Sequence, residues 1–136
     1  MSSYSIATIE GIGPVFAAKL KAAGIKKTGD LLVRGKDPKG RKEIAAATGL
    51  DESKILKWTN MADLMRIKGV GEEYSELLEA AGVDTVKELR NRNAANLTKA
   101  MVEANATKKL VRLLPSEKIV VKWVAMAKEL PPAITY

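Results

Sequence analysis

The chain has 136 residues, 46% of them hydrophobic, enough for one ordinary domain or two small ones with a real apolar core. It contains no cysteine and no histidine, which excludes disulfides, thiol nucleophiles, Cys/His zinc sites and the commonest general base. The formal net charge is +7, and the charge is unevenly placed: residues 19–42 and 90–128 each hold nine Lys/Arg against two acids, while residues 66–89 hold three basic and six acidic groups.

The N-terminal MSSYSIATIE has no basic region followed by an apolar one, so no signal peptide is expected. No apolar run approaches the ~18 residues of a membrane span, and a cytoplasmic location is the expectation. Ile6 and Ile9 fall in a short helix. Gly11-Ile12-Gly13 reads as a tight turn, and Pro14 suits the first turn of the next helix, where its missing N–H costs nothing. That helix is expected over about 14–23, with Gly24 as a left-handed end. Thr28 caps a short helix, Asp37-Pro38 reads as N-cap and first residue of another, and Gly49 closes it. Asp51 opens a longer helix that carries Trp58 and runs to about Arg66. A second turn, Gly69-Val70-Gly71, precedes a helix over about 72–81 that Gly82 ends. Thr85 and Glu88 have capping-box spacing. Asn93 caps a helix that Asn105 is expected to close, and Ser116 opens a last helix carrying Trp123. Pro131-Pro132 stops it and leaves residues 133–136 as a tail. No alternating strand pattern is present, so the expected fold is all-α.

The second half repeats the first. A shift of 58 places Ile6 on Leu64, Ile9 on Ile67, both glycines of one turn on those of the other, Phe16 on Tyr74, Leu20 on Leu78, Gly24 on Gly82 and Ile25 on Val83. Trp58 matches Trp123 at a shift of 65, so about nine extra residues lie in the second copy, within "TKKLVRLLPS". The expected organisation is two tandem copies of a multi-helix unit, residues 1–64 and 65–136, sharing one core or closely packed.

Each copy carries the pattern Ile6-x-x-Ile9-x-Gly11-Ile12-Gly13-x-x-x-Ala17-x-x-Leu20, with Leu64, Ile67, Gly69, Val70, Gly71, Ser75 and Leu78 in the second. This resembles the helix-hairpin-helix motif, which its family uses for sequence-independent DNA binding. The whole chain, about residues 4–136, is also similar to a family of small uncharacterised proteins with a tandem helix-hairpin-helix organisation, a resemblance that names no activity. The motif implies non-specific DNA as partner and a monovalent cation held by hairpin carbonyls when DNA is bound. Its physical logic is simple. Glycines on both sides of an apolar tip let the backbone turn tightly and approach a ligand. The next helix then points its free N–H groups, with their partial positive charge, at a phosphate.

The candidate nucleic-acid contacts are therefore Gly11, Ile12, Gly13 and Val15 of the first hairpin, with Lys19 and Lys21 along the following helix and Lys26 and Lys27 beyond it. Gly69, Val70 and Gly71 form the second hairpin, and Lys108, Lys109 and Arg112 lie in the inserted segment, with Lys108 and Arg112 spaced to share a helical face. Lys26 and Lys27 begin a basic run that continues through Arg34, Lys36, Lys39, Arg41 and Lys42. The alternative for both hairpins is a packing corner, and for the basic runs a solvated face. The second hairpin departs from the first where it matters: Glu72 and Glu73 replace Pro14 and Val15, and Glu79 replaces Lys21. Carboxylates there satisfy the helix dipole themselves and repel phosphate.

An enzyme is not expected. A dinucleotide-binding reading fails because Phe16 stands where the third glycine belongs and no strand precedes the turn. Helix-hairpin-helix glycosylases and lyases resemble this motif but place a lysine early in the second helix, where this chain has Val15 and Glu73. Asp30 and Asp84 read as local caps, and Trp58 and Trp123 as core anchors rather than base-stacking platforms. No metal or other cofactor is expected, and no membrane. The partner is DNA or, alternatively, a protein or a second copy of the chain, with the hairpins then only structural.

Overall fold

The computed structural model describes residues 4–9 and 11–136; Glu10 of the first hairpin lies outside them. After a 3-10 turn, Ile6–Thr8, eight α-helices follow among the described residues: α1 (Pro14–Ala22), α2 (Thr28–Arg34), α3 (Pro38–Thr48), α4 (Glu52–Leu64), α5 (Glu72–Ala80), α6 (Val86–Leu89), α7 (Ala94–Lys108) and α8 (Glu117–Glu129). The fold is all-α. An isolated antiparallel bridge between Ser5 and Lys27 is the extended pairing seen among these residues.

Most helix ends form where capping chemistry directs them. The Asp37 carboxylate accepts from the Gly40 N–H at 2.7 Å, ahead of Pro38 in the first turn of α3. Asp51, Thr85, Asn93 and Ser116 each accept a backbone N–H at the start of α4, α6, α7 and α8. Gly49 closes α3 with a φ of +72°.

Two ends differ from expectation. Thr28 does not cap α2 but lies in its first turn, where its hydroxyl accepts the Tyr4 N–H at 3.0 Å. Asp30 serves the start of the helix instead, accepting from the N–H groups of Lys26 and Lys27 at 3.1 and 3.0 Å. Those two bonds hold its carboxyl below the ordinary carboxylate range. Asn105 does not close α7 either. The helix runs on to Lys108, and Lys109 takes the left-handed conformation, φ +51°. The Asn105 side chain instead accepts from the Val111 N–H at 3.0 Å and donates to the Val111 carbonyl at 3.1 Å. It staples the segment after the helix back onto it.

The apolar side chains form two clusters. Ile6, Leu20, Leu31, Ile44, Ile55 and Trp58 are central to one; Ile67, Leu78, Leu89, Leu97, Val120 and Trp123 are central to the other. Each such side chain contributes roughly 1.5–3 kcal/mol on burial. Met61 and Met65 at the end of α4 face the first cluster, while Leu64 belongs to the second. The end of α4 is therefore where the two cores meet. A buried ion pair lies there: Arg66 Nη1 sits 2.8 Å from Asp63 Oδ1, and the other carboxylate oxygen accepts the Val86 N–H at 2.8 Å.

The chain after α8 is not a loose tail. The Thr135 N–H donates to the Lys36 carbonyl at 2.7 Å, and Arg41 Nη2 donates to the Thr135 carbonyl at 2.8 Å. Ile134 is buried, and the Tyr136 hydroxyl donates to Asn60 Oδ1 at 3.0 Å. The last residues thus pack on the first half of the chain.

Candidate nucleic-acid interface

Both Gly-x-Gly turns are built the same way. Gly11 and Gly69 have φ of +91° and +93°, a left-handed backbone that glycine adopts without strain. A Cβ at either position would sit 3.5 or 3.4 Å from the indole nitrogen of Trp58 or Trp123, so each turn rests on a tryptophan. Phe16 packs on Trp58 at a centroid distance of 5.6 Å and Tyr74 on Trp123 at 5.3 Å, both tilted. Trp58 and Trp123 are buried, as core anchors should be.

Ile12 and Val70 are buried at 5% and 0% exposure, and their N–H groups donate to the carbonyls of Ile9 and Ile67. They plug the core beneath the turn, and neither has a donor left for a ligand. Gly13 is exposed and extended, φ −78°, and nothing lies within 4 Å of where its Cβ would be. The first helix follows at once. The N–H groups of Gly13, Val15 and Phe16 donate to none of the described residues, no side chain caps α1, and no acid stands in its first turn. Val15 is 66% exposed. Among the described residues, the result is a helix N-terminus with no side-chain cap and no acid in its first turn.

The second hairpin has the same backbone but other chemistry. Glu72 and Glu73 occupy the first turn of α5. Glu79 pairs with Lys57 at 3.8 Å. Tyr74 donates its hydroxyl to the Leu113 carbonyl at 2.9 Å, so the inserted segment lies against this hairpin's helix.

The basic candidates divide. Lys19, Lys21, Lys26 and Lys27 are exposed, the first two on α1 and the others in the link to α2. Lys108, Lys109 and Arg112 are also exposed, but Lys108 and Arg112 do not share a helical face, because α7 stops at Lys108. Lys108 lines a shallow depression with Lys57, Glu76 and Glu79, next to carboxylates. Leu110 and Leu114 pack inward, whereas Leu113 is 75% exposed. In the first-half basic run, Arg41 is only 4% exposed, and its guanidinium is bonded to the Gly35 and Thr135 carbonyls. Arg34 donates to the Ala23 carbonyl at 2.7 Å, across the end of α1.

One basic residue beside the first hairpin comes from a distant helix. Lys54, on α4, places its ammonium 5.0 Å from the Phe16 ring centroid, and it is exposed. It thus stands beside the first turn of α1. The signal was its spacing: Lys54 is four residues before Trp58 and shares its helical face. At the matching distance before Trp123 stands Ile119, also exposed.

Residues 10–130 match a protein family described as a domain of unknown function, DUF4332. The chain belongs to the DUF4332 family. No curated protein and no solved structure matches it. The span that matches the DUF4332 family takes in both Gly-x-Gly turns and both tryptophan helices. Residues 131–136 lie beyond it. Among the described residues of this DUF4332 chain no helix is long and apolar enough to cross a membrane, and no group of three or more His, Cys, Asp or Glu side chains is arranged to hold a metal ion.

Proposed function

We propose that this DUF4332 chain is a non-enzymatic, sequence-independent DNA-binding protein of the helix-hairpin-helix kind, with two tandem units (residues 1–64 and 65–136), and that the first hairpin is its phosphate contact. The observation that carries the reading is the open start of α1: three backbone N–H groups without a described acceptor, no carboxylate in the first turn, and free space at Gly13. Lys54, Lys19 and Lys21 supply positive charge on α4 and α1. A phosphate oxygen would take the N–H donors, and the lysines would neutralise neighbouring phosphates.

Gly69, Val70 and Gly71 then serve as a structural corner, because Glu72 and Glu73 already answer the dipole of α5. A monovalent cation on hairpin carbonyls belongs to the same reading. The Gly11 and Ile12 carbonyls, which accept from none of the described residues, are the oxygens present for it. Contacts to phosphate carry no sequence information, so binding should be non-specific and salt-sensitive, about 10⁻⁴–10⁻⁶ M at physiological salt. A second reading, contact with a protein or another copy of the chain, is favoured by the exposed Leu113 held beside the acidic α5.

Fluorescence anisotropy with a short labelled duplex at two salt concentrations tests the proposal. Gly13→Ala together with Lys19→Glu should weaken binding and flatten the salt slope. Unchanged affinity and slope would remove the hairpin from the mechanism.

A further inference from the structure

We propose that residues 131–136 form a strap that locks the two halves of the molecule into one cooperative unit, with Arg66 and Arg41 as its two clasps. Arg66, just ahead of the second Gly-x-Gly turn, donates through Nη2 to the Pro131 carbonyl at 3.0 Å. The same guanidinium is anchored by Asp63, which also holds the N-terminus of α6 through the Val86 N–H. At the other end, Arg41 on α3 donates to the Thr135 carbonyl with one nitrogen and to the Gly35 carbonyl with the other, at 2.8 and 2.9 Å. The Thr135 N–H returns a bond to the Lys36 carbonyl, Tyr136 bonds Asn60 on α4, and its ring lies 5.7 Å from the Arg41 guanidinium.

Both arginines are buried. A buried guanidinium needs its donors satisfied, and a single segment of backbone satisfies part of both. The strap therefore ties the corner between α2 and α3 to the junction between α4 and the second turn. Each half keeps its own apolar cluster, and beside the junction at the end of α4 and the exposed Lys57–Glu79 pair the strap is the tie that makes their opening cooperative. The inference is independent of the nucleic-acid reading.

Native-state hydrogen exchange tests it. Ile44→Val loosens the first cluster alone and should speed exchange there by roughly 2–12-fold. With the strap intact, the amides of Val124 and Ala127 in α8 should speed up by a similar factor, because the halves open together. In the background Ile134→Ser/Thr135→Pro/Tyr136→Ala, which frees the strap from the first half but leaves the Arg66–Pro131 and Arg41–Gly35 bonds, the effect should stay in the first half. Arg41→Met gives the same comparison through the other partner of the contact. The proposal fails if Ile44→Val never reaches α8 with the strap intact, or if it reaches α8 equally with the strap released.

Discussion

At the scale of single residues, the two glycines of each turn do different work. Gly11 is needed by the fold: its φ of +91° is a region that costs any other residue roughly 1–2 kcal/mol. Gly13 is not. Its backbone is extended and a methyl group there meets open space. Gly11→Ala should therefore lower stability by about 1–2 kcal/mol in urea denaturation, and Gly13→Ala should leave the midpoint almost unmoved. The same contrast should hold between Gly69 and Gly71, since their conformations match. Gly13 and Gly71 are alike in this, so the glycine alone marks no ligand; the two copies differ in the helix turn that follows, which carries Glu72 and Glu73 in the second and no acid in the first. Both glycines stand out in the sequence, but their separate roles do not, because φ and the position of the tryptophan depend on the packed core.

At the scale of elements, most helix starts and the glycine-closed ends were legible, with Thr28 and Asn105 the exceptions. Asp37, Asp51, Asn93 and Ser116 cap locally, through side chains that reach two or three residues along the chain. Asn105 had the residue type of a left-handed end, yet it lies in the body of α7 because its amide finds two better partners on Val111. Lys109 carries the strained conformation in its place. Lys109→Gly should then stabilise the protein by about 1 kcal/mol, and Asn105→Ala should cost about 1–2 kcal/mol, both read from thermal or urea unfolding. The inserted segment does not form the helical face that its spacing suggests. Lys108 and Arg112 flank a helix end, and Lys108 lines a depression together with Glu76 and Glu79. Such placement depends on contacts between α5 and α7, which no local pattern encodes.

At the scale of the whole molecule, the all-α class was legible from Ala-rich runs, apolar spacing and punctuating glycines. The matched surroundings of Gly11 and Gly69 follow from the offset of 58. The strap was not legible, and Lys54 only through its spacing from Trp58, since both rest on meetings between residues far apart in sequence. Arg41 is the clearest case: in the sequence it is one cation of a basic run, but in the fold its charge is buried under the strap. Counting basic residues therefore overstates the surface open to a polyanion, and the contrast between the two hairpins carries the functional argument instead.

That contrast gives the most direct test. Val15 is exposed in the first turn of α1, and the second hairpin has Glu73 in its place. Val15→Glu transplants the acidic character without disturbing the core. Binding of a labelled duplex should weaken by at least about tenfold, with a shallower salt dependence, while the midpoint of urea unfolding stays level or rises slightly, because a carboxylate in the first turn favours the helix dipole. A Val15→Glu protein that binds the duplex with unchanged affinity and salt slope would contradict the account.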